Sequence, residues 1–315
     1  MKILENISLS DKNWFLTGGH ARYFCEPSTI SDFQEALAFA HKNNVAIFVL
    51  GQGANVLISD DGFDGLVIRP QTIQKQNPEI VSLDDQTVLV TAQAGCTVHD
   101  LIEFCLAHNV SGLEEFSGIP GTVGGSVFIN LHYFQFFLSD FLVSAQVIEQ
   151  KTGHIKTVDL DWFAFGYDTS RLMQRDYYLV SATFKLKKVT DLETAYAQGR
   201  RVEIIRHRNA RYPSVRTCGS FFRNFHDDEV TVMSNGKKMI YVAYYLDKIG
   251  IKGQLQVGDA IVSYQHANMI VNNGKATSND IVQLVRTMQQ MVKDAYGITP
   301  QPECLLIGFK TYPLL

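Results

Sequence analysis

Cysteine is scarce: Cys25, Cys96, Cys105, Cys218 and Cys304 are odd in number and widely scattered. They form neither a disulfide framework nor metal-ligand spacing, so reduced thiols and no metal are expected. Long apolar runs are missing as well. Residues 1–14 lack an apolar core of signal-peptide length and nothing later approaches a membrane span, so a cytoplasmic protein without a membrane partner is expected. Charge of one sign is absent: 28 basic and 32 acidic residues give −4 with no long run, which argues against a nucleic-acid surface. No Gly-x-Ser-x-Gly elbow, internal repeat or low-complexity tract occurs. What remains is globular in composition, 46% hydrophobic and 19% charged over 315 residues, enough for two or three domains.

Glycine is concentrated where it matters. Gly118-Ile119-Pro120-Gly121-Thr122-Val123-Gly124-Gly125-Ser126 carries four glycines within residues 118–125, which is bare backbone that turns tightly and lets N–H groups approach an anion. The apolar residues 127–130 follow and anchor it. A second bare loop, Gly51-Gln52-Gly53-Ala54-Asn55, follows a strand-like run at 45–50. It is not a dinucleotide fingerprint, because the third glycine is missing and Val56-Leu57-Ile58 continues as strand. Two such loops suit a ligand with two phosphates.

Along the chain, a helix is expected over 31–43, with a capping box of Ser31 and Gln34 and an inward face of Phe33, Leu37 and Ala40. A turn at 59–65 leads to a strand at 66–68. Strands near 80–83 and 87–93 precede a helix capped by Thr97 and Asp100, with Leu101, Ile102, Cys105 and Leu106 inward. Residues 151–153 join hairpin strands 143–149 and 155–159. Residues 177–186 alternate as a strand with one wet face. A basic helix covers 200–211, a small-residue corner at 218–224 runs into a buried strand, and helices lie around 237–249 and 278–296, the latter stopped by Gly297. The methionines of that last helix read as core filler.

Candidate chemistry falls on few residues. Ser220 lies between Gly219 and Phe221-Phe222, near a water-poor surface, although serines in such corners commonly bond local backbone. Glu303 enters the apolar strand 304–307, and a buried carboxylate needs a partner or stays protonated. A hydroxyl and a buried acid together suit proton delivery to a carbanion-like centre. His266 is either a ligand contact or a hydrogen-bonded structural histidine. Arg208 and Arg211 end a helix as a solvated face or a phosphate clamp.

These pieces stand in the order and spacing of a known family. Residues 51–59, 118–125, 219–224, 266–272 and 302–303 resemble the motifs of the MurB family, the UDP-N-acetylenolpyruvoylglucosamine reductases of peptidoglycan synthesis. The likeness runs from residues 16–24 to Glu303 and looks like the shorter subtype. It implies an α+β protein: a two-part FAD-binding fold of the PCMH/vanillyl-alcohol-oxidase kind in residues 1–71 and 72–190, a C-terminal α/β substrate domain in 191–298, and a segment 299–315 returning to the active site. It further implies non-covalent FAD on residues 51–55, 118–122 and 124–126, and NADPH as co-substrate. The implied substrate is UDP-N-acetylglucosamine enolpyruvate, acted on by a monomer. Ser220 falls on the proton donor and Glu303 on the acid that assists the enol-like intermediate. Tyr167, Arg208, Arg211, Asn224, His266 and Asn268 fall on the substrate side.

Two positions depart from the family pattern. The family's Tyr-Arg-x-Ser places an arginine against the substrate carboxylate and enol, whereas this chain has Tyr167-Asp168-Thr169-Ser170, and Arg171, three residues on, either reaches in or is pointed away by a strand or turn. After Asn130 the family has small residues, and this chain has Leu131-His132-Tyr133-Phe134, whose bulk would narrow the pocket or move the loop. Both departures motivate an alternative: a diverged FAD-binding paralog of the same fold with weak or different oxidoreductase activity. A nucleotide-sugar binding protein without cofactor is the third reading.

Overall fold

The computed structural model describes residues 1–71 and 78–315. Two compact units emerge: Met1–Glu5, Tyr23–Gln52 and Gly65–Arg208 form the first, and Asn6–Arg22, Gly53–Asp64 and Asn209–Leu315 the second. Each is assembled from separate stretches, a division different from the four consecutive segments expected. The expected boundary at 71/72 adjoins residues 72–77, which lie outside the described residues.

In the first unit, helix α1 (Ile30–Lys42) opens at Thr29. Thr29 Oγ1 accepts Asp32 N at 3.0 Å, and the Asp32 carboxylate accepts Thr29 N at 3.0 Å and Ser28 N at 3.1 Å. The capping box is therefore Thr29 with Asp32 and not Ser31 with Gln34, because Asp32 satisfies two further backbone donors that Gln34 does not. Phe33, Leu37 and Ala40 face inward as expected. Strand Ala46–Val49 runs parallel to the end of strand Phe63–Ile68, which starts earlier than the expected residue 66. A larger antiparallel sheet follows in the order Ile155–Asp159, Leu142–Glu149, Tyr177–Lys188, Thr87–Gln93, Glu79–Ser82.

The central strand Tyr177–Lys188 has the expected wet face over its second half, where Thr183, Lys185 and Lys187 alternate with buried Ala182, Phe184 and Leu186, but not over its first. Its register slips beside Gln146 and Val147, skipping Val180. The slip turns Tyr178 and Val180 toward the core under α1, while Leu179, Ala182, Phe184 and Leu186 pack with helix α2 (Val98–Ala107). Thr97 Oγ1 caps α2 by accepting Asp100 N at 2.9 Å. The 118–126 stretch is not loop throughout, since a short helix α3 (Val123–Phe128) opens inside it behind Thr122. Helix α4 (Asp191–Arg211) starts well before the expected residue 200.

In the second unit, helices α5 (Val242–Lys248) and α6 (Ser278–Tyr296) pack in one core with Phe15, Leu57, Phe221 and Phe222. Helix α6 is capped by Thr277 and Asp280, stops at Gly297 with φ 74°, and buries Met288 in the core. The helix expected from 237 begins at Val242, because 233–238 form a tight hairpin. Residues 218–224 form no strand; they make single bridges, Ser220 to Met269 and Phe222 to Pro302. Strand Val56–Ile58 pairs in parallel with Leu305–Ile307. Among the described residues, no helix is long and apolar enough to cross a membrane. All five cysteines are free and buried, and burial pushes the Cys25 and Cys105 thiols up to about 12.

Candidate active site

In the second unit, three distant stretches meet on the backbone of Phe221 and Phe222. Phe221 N donates to Asn268 O at 2.8 Å, and Glu303 N donates to Phe221 O at 2.8 Å. The buried Asn268 side chain clasps Phe222, accepting its N–H at 3.1 Å and donating to its carbonyl at 2.8 Å. Leu305 N donates to Asn55 O at 3.1 Å and Asn55 Nδ2 to Glu303 O at 3.4 Å, which brings the end of the first glycine loop to the same ladder. Ser220, Glu303, Asn55 and Asn268 are thus drawn together by backbone.

Ser220 is half-buried, and its neighbour Gly219 takes φ 80° with open space where a Cβ would stand. A left-handed glycine there turns the chain and leaves the approach to the hydroxyl unobstructed. Glu303 is half-buried and not sunk in a strand as expected, since pairing begins only at Leu305. Asn224 Oδ1 accepts Val242 N at 3.3 Å at the start of α5. Beside it, Arg223 grips Glu229 through two bonds of 2.8 and 2.7 Å and holds that carboxyl down at about 2.

His266 Nδ1 accepts Asn268 N at 3.3 Å, and its ring meets Tyr212 edge-on at 5.3 Å. Burial, with Arg211 adding its charge, pushes His266 down to about 4, so the ring is neutral at ordinary pH. Arg211 is exposed, 5.7 Å from the Tyr212 ring. Arg208 belongs to the first unit, where it packs against Gly118 and lies 5.2 Å from the Tyr133 ring.

The glycine loops offer donors, though fewer than the sequence implied. The N–H groups of Val123, Gly124, Gly125 and Ser126 are engaged by Cys96 O, Ala94 O, Thr122 Oγ1 and Thr122 O. Those of Gly51, Gln52, Gly53, Ala54, Asn55, Gly121 and Thr122 donate to no acceptor among the described residues. Loop backbone with unclaimed N–H groups is what a diphosphate requires. The two loops also touch: a Cβ on Gly51 would stand 2.6 Å from Thr122 Oγ1, closer than any side chain allows.

Asp168 and the 131–134 run meet each other. His132 Nδ1 stands 3.2 Å from Asp168 Oδ1. Sequence reading missed this pair, since His132 registered only as bulk and no spacing rule links two positions so far apart. Leu131 joins the core, and Phe134 is exposed at the hairpin tip. Arg171 does not replace an arginine at 168: its guanidinium lies 4.7 Å from the Trp162 ring and 4.0 Å from Asp176, not against Asp168.

A model of the FAD-binding domain family matches residues 21–159, and one described as the UDP-N-acetylenolpyruvoylglucosamine reductase C-terminal domain matches 210–307. The UDP-N-acetylenolpyruvoylglucosamine reductase of Lactobacillus delbrueckii subsp. bulgaricus is 35% identical over 310 residues, spanning 98% of this chain and 96% of that protein. The chain belongs to the UDP-N-acetylenolpyruvoylglucosamine reductase family. The reductase of Trichormus variabilis is 34% identical over 307 residues, 98% of this chain and 87% of that one. The crystal structure of the reductase from Thermus caldophilus aligns with a TM-score of 0.75 at 25% identity, covering 97% of this chain and 98% of that one. The architecture is the α+β one of the reductase family, a two-part FAD-binding fold with the family's C-terminal domain.

Proposed function

We infer that the protein is an FAD-dependent oxidoreductase that uses NADPH to reduce UDP-N-acetylglucosamine enolpyruvate to UDP-N-acetylmuramate, a step of peptidoglycan precursor synthesis. The observation that carries the reading is the junction at Phe221, which joins the Ser220 corner and the Glu303 segment in one hydrogen-bonded ladder. It acts as a monomer in the cytoplasm, and NADPH and the UDP-sugar are its only partners. In this reading 1–71 and 72–190 are the flavin-binding parts, 191–298 the substrate domain and 299–315 the returning segment.

The residues fit FAD. The unclaimed N–H groups of 51–55, 121 and 122 would hold the pyrophosphate, and the bare α-carbon of Gly51 permits the close approach of Thr122. Bound FAD supplies the hydride carrier between NADPH and the substrate's terminal carbon. Ser220 gives its hydroxyl proton to the adjacent carbon, and Glu303 supports the enol-like charge that develops there. Asn268 keeps the Ser220 corner in place by clasping Phe222. The substrate-side residues in this reading are Tyr167 and Arg208 in the first unit and, in the second, Arg211 as the group for the diphosphate, Asn224 and a neutral His266.

The Asp168–His132 pair bears on the alternative. An acid at 168 would oppose an anionic substrate, and here Asp168 Oδ1 stands 3.2 Å from His132 Nδ1. The purified protein should be yellow, lose its flavin absorbance on NADPH addition and regain it on addition of the enolpyruvyl substrate. Flavin bleaching with no recovery would favour the diverged paralog, and a colourless protein that cannot be reconstituted would favour a cofactor-free binder.

A further inference from the structure

Two of the five cysteines meet where the Ser220 corner joins the Glu303 segment, all within the second unit. Cys218 lies just upstream of Gly219-Ser220, and Cys304 directly follows Glu303. They are 6% and 3% exposed, in the core that also holds Phe221 and Phe222. Their thiols are hydrogen-bonded to one another. Each also points at a neighbouring carbonyl, Cys218 Sγ at Gly219 O and Cys304 Sγ at Leu305 O, both at 3.9 Å.

A thiol pair serves by reacting or by packing, and its surroundings decide which. Redox-active cysteines are exposed and carry a lowered pKa, because the thiolate is the attacking species. Here burial first, and then the hydrogen bond with Cys218, pushes the Cys304 thiol well above its ordinary value. Buried and neutral, the two side chains act as small apolar groups whose contact fixes a distance.

That distance matters because of what else holds the corner. Downstream of Ser220, main-chain bonds to Phe221 and Phe222 set the course of the chain. Upstream, Arg216 O accepts Asn272 N at 2.9 Å and Thr217 Oγ1 accepts Gly219 N at 3.3 Å. The first of these bonds leads to the strand Ile270–Asn272 and the second stays within the corner. Gly219, at φ 80° with open space where a Cβ would stand, is a joint that steric contact does not brace. The sulfur contact ties the upstream arm of that joint to the Glu303 segment. A shift of Cys218 about Gly219 passes to the Ser220 hydroxyl, and its distance from Glu303 changes with it. We propose that Cys218 and Cys304 are positioning residues of the reductase, their side-chain contact setting the separation of the Ser220 hydroxyl from the Glu303 carboxyl during proton delivery. The proposal rests on the reductase reading.

The test uses holoenzyme of wild type, Cys218→Ala, Cys304→Val and the double variant, with the two half-reactions followed separately by rapid mixing and FAD content reporting the fold. Alanine removes a sulfur's volume and valine adds to it, so the double variant roughly conserves the total. In each single variant the limiting rate of flavin reoxidation by the enolpyruvyl substrate should fall about tenfold, since a misplacement of roughly 1 Å costs up to about 10²-fold. Apparent KM and flavin reduction by NADPH should stay within about twofold of wild type. The double variant should recover to within about threefold of wild type, because the two changes offset one another at one contact. A pair that only fills space would lower the unfolding midpoint and leave both half-reactions of the folded enzyme unchanged, and that result would overturn the proposal. So would an equal loss in the NADPH half, a loss carried by KM, or single losses that add in the double variant. Should a single variant hold no FAD, the double variant decides alone: reoxidation near the wild-type rate upholds the contact, and a tenfold loss overturns it. Wild-type flavin that NADPH bleaches but the substrate never reoxidises would instead overturn the reductase reading, and the proposal with it.

Discussion

The Ser220–Glu303 junction and the Asp168–His132 segment are held by different means. At the first, main-chain bonds from Asn268, Gln301, Glu303 and Cys304 converge on residues 221–223, joined by the Asn268 side chain on Phe222 and the Asn55 side chain on Glu303 O. At the second, side chains do the holding: a carboxylate to an imidazole, a serine and an asparagine to carbonyls, and rings against rings. A backbone ladder fixes the course of the chain through main-chain groups, so removing the Ser220 side chain leaves the frame standing. A side-chain lattice uses the same groups for position and for contact, so a change there alters both. That is why the first region keeps the residues its resemblance implied, while the second holds this chain's own solution.

The contrast is broken or sharpened by four substitutions. The largest effect is kinetic: Ser220→Ala should slow flavin reoxidation by the substrate about 10²- to 10⁴-fold, the usual range for losing a proton donor, with NADPH-driven bleaching and the unfolding midpoint unchanged. Stopped-flow absorbance reads both halves, and a comparable fall in the NADPH half would deny the hydroxyl its role. Next is Asn268→Ala, which strips the clasp from Phe222 N and O inside the core. Two stranded backbone groups put the loss at about 3 kcal/mol by denaturant unfolding, and a loss under about 1 kcal/mol would mean the ladder does not depend on that clasp.

Gly51→Ala comes third. Its Cβ would collide with Thr122 Oγ1, the group that caps α3, so the loops must part. FAD affinity should fall roughly tenfold or more by fluorescence titration, about 1.4 kcal/mol, with global stability less affected. Equal FAD affinity would separate the loop contact from cofactor binding. The smallest effect concerns pH. His266 in the folded protein is held down to about 4, below the ordinary value of an unfolded histidine. The stability tied to its neutral form is therefore complete above about pH 6.5 and drains away as pH falls toward 4, on the order of 1 kcal/mol already by about pH 6. His266→Asn should flatten that part of the stability–pH curve, and an unchanged slope would mean the ring is not the group responsible.

Much of this architecture is written locally. Thr97 with Asp100, Gly297 after the apolar stripe of α6, and the 151–153 hairpin follow from caps and turns that act over a few residues. The failures have physical reasons of equal locality. Asp32 outcompetes Gln34 because its carboxylate reaches two backbone donors, Ser28 N and Thr29 N. Asn235 and Gly236, both at left-handed φ, close a hairpin where a helix was expected to begin, a two-residue turn signal stronger than the apolar spacing beyond it. Residues 218–224 look like a buried strand because Phe221 and Phe222 are buried, yet their partners are single residues far along the chain. For the candidate site, the retained residues were legible because glycine loops and an acid next to an apolar run are unusual in themselves. The meeting of His132 with Asp168 was not, since each is unremarkable alone and only tertiary structure pairs them.

The central claim is that this chain passes a hydride from NADPH to an enolpyruvyl ether, with Ser220 delivering the proton. It is tested most directly by reducing the bound flavin anaerobically with one equivalent of NADPH and mixing it with UDP-N-acetylglucosamine enolpyruvate. The account predicts return of the oxidised-flavin spectrum with formation of the saturated lactyl ether in wild type, and a flavin that stays reduced on the same timescale in Ser220→Ala. A wild-type flavin that remains reduced in the presence of that substrate would contradict it.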